Sequence, residues 1–276
     1  MVYKVYNENN VLVTVTEEQL ENAIGQDGTE LPVEIISAMS ESIDPRFAPS
    51  LQEALYHEMQ RARITAIYGL LSLLDKRFIG LFREKEQSIP KDDLNQQISE
   101  KAILQAVIIF LENGVEGAKN AFFKGEIEPK IKSLLLFNYS SSNLPLTKKD
   151  IDFIISALEA YINKSEPWIQ KTKKDDYEED VIACLESFLR ASETSTILCQ
   201  LRDDVYEKLS SVCSEVLKMK IDPYAKEVIA TFARALPPKH AYAMLEPIMG
   251  GRARGDIRKE LEYSIEILRQ KEQEMG

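Results

Sequence analysis

The sequence predicts a mainly α protein, a multi-helix array of α-solenoid-like or helical-bundle type with a short N-terminal β-hairpin. Three observations carry that prediction. Between residues 147 and 275 six segments of roughly 12 to 25 residues each repeat an apolar stripe at helical spacing, most of them opening on a capping residue. Alternating β-branched and aromatic residues are confined to the first sixteen positions. The chain has 276 residues and is 44% hydrophobic, enough to bury a sizeable core.

Taken in order, residues 2–6 and 11–16 are strand-like, and Asn7-Glu8-Asn9-Asn10 between them tolerates turn conformations, so the pair predicts a hairpin. A lone hairpin is marginal and must pack on helices or pair with another chain. Thr16-Glu17-Glu18-Gln19 has the capping-box pattern and starts a short helix ending near Gly25. A further short helix is expected over 32–39, followed by a connector carrying Pro45 and Pro49. Ser50-Leu51-Gln52-Glu53 opens what reads as the longest helix, running towards Arg83, with Gly69 and Gly80 as its weak points. Its length, about 50 Å at 1.5 Å per residue, would make it the strut of its region.

Helix resumes over 92–113 with Leu94, Ile98, Ile103, Leu104, Val107, Ile108 and Leu111, and Gly114 caps it. Short helices follow over 115–123 and 127–137, Pro129 being allowed in a first turn. Asn138 to Pro145, rich in serine and asparagine, is the most linker-like stretch. The predicted organisation is therefore a hairpin with short helices over 1–49, a helical subdomain with a long central helix over 50–138, and a helical array over 146–276. In the last part, Thr147 caps a stripe of Ile151, Ile154, Ile155, Leu158 and Ile162, and a loop holds the single tryptophan, Trp168. The charge run 171–180 reads as a solvated helix entry. Helices follow over 177–201, 204–219, 224–236, 239–249 and from Asp256, with Asp222-Pro223 as cap and first turn and Pro237-Pro238 as a forced corner.

Short antiparallel helices joined by tight turns resemble the spacing of HEAT and armadillo repeats over 147–275. No motif recurs at a fixed period, so the resemblance names an architecture and no family.

Charge and composition narrow the function. The 45 acidic and 34 basic residues give a formal net charge of -11, which repels phosphate backbones, so nucleic acid is not expected as a partner. Cys184, Cys199 and Cys213 are an odd set without CxxC spacing, suited to reduced thiols in the cytoplasm. Cys184 and Cys213 sit among core-type neighbours and read as small hydrophobes. The first residues, MVYKVYNENN, lack a basic stretch followed by an apolar run, so no secretory signal is expected. The most apolar stretch, around 64–74, is too short to span a bilayer, and no membrane association is expected.

The sharpest local motif is Gly250-Gly251-Arg252-Ala253-Arg254-Gly255-Asp256, with glycines and two arginines at the mouth of a helix. Gly250, Gly251, Arg252, Arg254 and Gly255 form a candidate anion site, because converging amides, guanidinium groups and a helix N-terminus all favour negative charge. The loop lacks the Lys-Ser/Thr ending of a Walker loop and follows no strand. Only two histidines occur, His57 and His240, which excludes a histidine-rich metal cage, and His57 reads as a surface helix residue. Arg234 and His240 superficially resemble the Arg-x(4–6)-His motif of HEPN-type ribonucleases, but Pro237 and Pro238 interrupt what is continuous helix in that family. Acidic pairs at 92/93, 175/176, 178/179 and 203/204 sit at helix starts, where capping and the helix dipole explain them. Tyr56, Tyr68, Phe78, Phe82, Phe122, Phe123 and Phe137 have core spacing.

No catalytic constellation, metal set or cofactor motif accompanies the helices. The function expected from sequence is a non-enzymatic protein-protein interaction adaptor or scaffold, its acidic helical surface meeting a basic or amphipathic segment of another protein, with homo-oligomers able to form through the hairpin. The alternative is a helical small-molecule or anion-binding protein, enzymatic or not, using the Gly-Gly-Arg-Ala-Arg-Gly loop.

Overall fold

The computed structural model describes residues 1–91, 93, 99–249 and 255–275. The fold is mainly α with an N-terminal antiparallel hairpin, and it forms two compact units, Met1–Leu144 and Pro145–Gly276.

In the first unit, β1 (Val2–Tyr6) pairs antiparallel with β2 (Leu12–Thr16) in the register Val2 to Thr16 and Tyr6 to Leu12. The turn is held by Asn7, whose Oδ1 accepts the Asn9 and Val11 amides at 3.0 Å, and by Asn10 at φ 56°. Val5 and Val15 are the buried residues of the two strands, and they face α2 (Val33–Ser42). Arg61 reaches the turn, donating to the Asn7 carbonyl at 3.2 Å and to Asn10 Oδ1 at 2.5 Å. The hairpin is thereby docked on helices of its own unit. Thr16 caps α1 (Glu17–Asn22) with the reciprocal Gln19 bond that its motif predicts.

The expected long helix from Ser50 to Arg83 is not continuous. It is three helices, α3 (Ala48–Ala54), α4 (Gln60–Ser72) and α5 (Phe78–Ser88), and neither break falls at a glycine. At the first break His57 folds inward, its Nδ1 accepting the Met59 amide at 2.9 Å and its Nε2 meeting the Leu31 carbonyl at 3.2 Å. Those partners make it the Nε2–H tautomer. His57 is therefore a buried residue of a chain reversal and not the surface helix residue expected. At the second break Leu74 takes a left-handed φ of 52° and Asp75 turns back to accept the Arg77 amide. Gly69 lies inside α4 where α2 packs closely against it: a Cβ would lie 2.8 Å from Ser40 Oγ. This glycine serves close packing.

α6 (Glu100–Lys124) is capped by Ser99 and bends at Gly114, whose φ of 63° only glycine adopts freely. α7 (Pro129–Ser141) takes Pro129 in its first turn and runs four residues into the stretch read as linker. It can do so because Asn138 and Tyr139 are buried, Asn138 Nδ2 donating to the Ala106 carbonyl of α6 at 3.3 Å. Of the expected aromatic core, Phe82 and Phe122 are fully buried, whereas Tyr56 is exposed beneath the Lys85 ammonium, 4.8 Å from its ring. Asp92, Leu94 and Ile98 lie outside the described residues.

The second unit stacks three helical hairpins in two layers. α8 (Lys148–Asn163), α10 (Asp203–Lys218) and α12 (Pro238–Met249) pack in one row, and α9 (Lys174–Thr194), α11 (Pro223–Ala233) and α13 (Asp256–Met275) in the other. Each helix of a hairpin also packs on its partner, which is α-solenoid geometry. Thr147 with Asp150 and Asp222 with Pro223 cap α8 and α11 as their residues dictate. The charge run 171–180 is solvated only in part. Asp180 is buried and accepts the Tyr161 hydroxyl at 2.9 Å.

Candidate functional site

In the first unit α5 and α7 both pack against α6, and they leave a groove of about 540 Å³ between them. Its position follows from the helix faces. α5 turns Phe78 and Phe82 to the core, which leaves Arg83, Glu86 and Gln87 on the groove side. α6 buries Ala106, Val107 and Phe110, and its next face presents Gln105, Ile108 and Ile109, the two isoleucines half-buried. Gly125 ends α6 by returning its amide to the Asn120 and Ala121 carbonyls, and Glu126, Ile127 and Glu128 then form the third wall with Ile131 of α7. Four isoleucines thus make an apolar floor, and charged and amide groups make the rim.

Several rim groups are fixed in place. Arg83 pairs with Glu112, and Lys76 donates to the Glu112 carbonyl at 3.1 Å. Gln105 Nε2 donates to Glu86 Oε1 at 2.9 Å, which orients the amide, and its Oε1 is buried with no hydrogen-bond partner among the described residues. Glu86 also faces Lys101 at 3.6 Å, whose ammonium donates to the Ile89 carbonyl at 3.0 Å. Behind the rim, Glu100 holds Arg63 at 2.8 Å and Lys85 at 3.5 Å, with Glu100 only 4% exposed. Asp93 accepts both the Ser99 hydroxyl and the Lys101 amide, so a carboxylate binds the first turn of α6 where the helix dipole favours it. This buried charge network braces the α5–α6 junction. Removing one partner would strand the others.

The second unit holds a smaller cavity of about 230 Å³ between α9, α11 and α13. Three of its polar side chains are already partnered: Tyr224 donates to Glu186 at 3.0 Å, and Thr231 donates to Glu260 at 2.7 Å. Burial, then the nearby carboxylates of Glu186, Glu193 and Glu227, push the Tyr224 hydroxyl up to about 12. The cavity is below the usual range for a ligand pocket, roughly 300 to 1,000 Å³, whereas the groove of the first unit falls within it.

Of the candidate anion loop, Gly250, Gly251, Arg252 and Arg254 lie outside the described residues. Gly255 is described, with φ 63°, one residue before α13. Arg234 and His240 have separate partners. Arg234 pairs with Glu260, donates to Ser264 Oγ at 3.0 Å and lies 4.4 Å from the Tyr263 ring centroid. His240 stacks on Tyr206 at 4.8 Å. Cys184 and Cys213 are buried and their thiols are pushed well up by burial, while Cys199 is exposed and donates to the Ala235 carbonyl. Among the described residues no three His, Cys, Asp or Glu side chains are grouped to hold a metal ion, and no helix is long and apolar enough to cross a membrane.

The groove was not singled out by sequence reasoning. A signal existed in α6, where Ile103, Leu104, Val107, Ile108, Ile109, Phe110 and Leu111 exceed what one stripe requires. Such a surplus is met by a second neighbour or by a concave surface.

No protein-family model matches this chain, and no curated protein matches it in sequence. Among solved structures, human deoxyhypusine hydroxylase in complex with glycerol is similar to 92% of this chain over 84% of its own, at 11% identity and a TM-score of 0.37. The expected non-enzymatic adaptor is corrected here in favour of the alternative, a small-molecule-binding helical protein, since the groove of the first unit has the volume of a ligand pocket. At that identity and score the likeness transfers no activity.

Proposed function

We propose that this chain is a helical small-molecule-binding protein whose ligand lies in the groove between α5, α6 and α7. The observation that carries the reading is the groove's composition: an apolar isoleucine floor with a few fixed polar groups at its rim, in a volume suited to a compact organic ligand. The buried network of Arg63, Lys85 and Glu100 supports it by holding the α5 wall in place before a ligand arrives. A cytoplasmic setting fits the same reading, because three free thiols persist in a reducing compartment.

Carbon-13 methyl spectra of isoleucine-labelled protein, titrated with n-octanol as an uncharged probe, test this directly. Saturable shifts are expected at Ile108, Ile109, Ile127 and Ile131, with Ile36 and Ile229 unmoved. Absence of shifts at the four groove methyls, or equal shifts throughout, would overturn it.

An anion site on Gly250, Gly251, Arg252, Arg254 and Gly255 is a separate proposal, supported by the left-handed Gly255 at the entry to α13. Phosphate binding that is lost in Arg252→Glu/Arg254→Glu would support it. Unchanged phosphate binding, or none in the parent chain, would remove it.

A further inference from the structure

The charges around the groove select among ligands. We infer that the groove takes a protonated aliphatic amine, its ammonium head at the rim beside Gln105, Glu126 and Glu128 and its alkyl body over the isoleucines. This inference rests on the ligand-binding reading above and deepens it.

Three carboxylates line the groove, those of Glu86, Glu126 and Glu128, against one guanidinium, that of Arg83. Arg83 is already committed to Glu112, so it offers an incoming anion little. Glu126 and Glu128 are exposed on the short segment between α6 and α7, on either side of Ile127, whose side chain is half-buried. A ligand that covers Ile127 therefore brings its polar end near carboxylates. The mean field of a chain at formal charge -11 acts in the same direction.

Gln105 adds a requirement for hydrogen on that head. The Glu86 carboxylate accepts only, so Gln105 must turn its Nε2 towards it and its carbonyl oxygen away. That oxygen is buried without a donor among the described residues, a state that costs free energy until one is supplied. The terminal amide torsion is soft. Rotation about that torsion, at the expense of the Glu86 bond, is what turns the oxygen to an N–H group in the groove. A primary ammonium provides such a donor, whereas a quaternary ammonium or a carboxylate does not.

The test compares n-octylamine, n-octanol and n-octanoate, equal in chain length, binding to the full chain at neutral pH by calorimetry. The same measurements are made on Gln105→Leu/Glu126→Gln/Glu128→Gln. A control, Glu8→Gln/Glu18→Gln, matches its loss of charge away from the groove lining. Octylamine is expected to bind on the order of tenfold more tightly than octanol, and octanoate more weakly than either. The groove variant should narrow the octylamine preference to about twofold, and the control should retain it. Octanol binding as tightly as octylamine would overturn the inference and leave the ligand-binding reading standing. So would a preference that survives in the groove variant or falls equally in the control. No binding of any of the three would overturn both. Thermal melts of each variant, matched to the parent, show that the comparison is made on folded protein.

Discussion

The two units solve the packing of helices differently, and they leave concavities of different size. In the second unit each helix packs on the neighbour two places along the chain, so α9, α11 and α13 close on one another and leave about 230 Å³. In the first, α5 and α7 flank α6 and leave a groove of about 540 Å³. The solenoid spends its apolar residues on stacking. The irregular unit leaves part of α6 uncovered and supports the gap with buried ions.

The two cores give the largest expected effects. Phe232→Ala, at a fully buried ring 5.6 Å from that of Phe188, and Phe82→Ala, fully buried in α5, should each cost about 4 kcal/mol. The single tryptophan, Trp168, belongs to the second unit and stacks edge-on against Tyr161. Its fluorescence follows that unit, while far-UV circular dichroism follows both. Phe232→Ala is expected to lower the denaturation midpoint seen by fluorescence, and Phe82→Ala chiefly the one seen by dichroism. Identical shifts in both probes for both variants would show that the units unfold as one.

The buried ions distinguish the units next. Glu100→Ala leaves Arg63 and Lys85 facing an empty place, and a loss of about 3 kcal/mol is expected, at the low end for a stranded buried charge because Arg63 is partly exposed. Urea unfolding followed by dichroism measures it. Glu100→Ala with unchanged stability would mean that the network does not brace α5.

Alkali should separate the units by smaller amounts. The Cys184 and Cys213 thiols lie above their ordinary 9.0 in the folded second unit, and the Tyr68 hydroxyl lies above its ordinary 10.0 in the first, all through burial. A raised folded value means that the unfolded chain releases its proton first, so the stabilisation is complete below the ordinary value and is lost as pH rises above it. The fluorescence midpoint should begin to fall near pH 9 and the dichroism of the first unit nearer pH 10. Cys184→Ala/Cys213→Ala should remove the earlier decline. Persistence of that decline in the double variant would assign it to other groups.

Much of the fold was legible because its signals are local. Thr16 with Gln19, Thr147 with Asp150, and Asp222 with Pro223 each cap a helix, and the Asn7–Asn10 turn closes the hairpin, by bonds within a few residues of themselves. The break at His57 was not legible, because it depends on a distant partner. Leu31 receives His57 from 26 residues away, and the need for a glycine at 69 is set by Ser40 of α2. The groove was hidden for the same reason. Whether Ile108 and Ile109 meet a neighbouring helix or open space depends on where α5 and α7 settle, and no residue in α6 states that. The expected loop site was local and conspicuous, but the residues that converge in the described structure are Gln105, Glu86 and Ile131, scattered over 46 positions from 86 to 131.

Hydrogen exchange with and without saturating n-octylamine tests the contrast between the units most directly. Added protection confined to α5, α6 and the first turns of α7, with α9, α11 and α13 unchanged, is the predicted result. Protection gained only in the second unit, or nowhere, would contradict the assignment of ligand binding to the first.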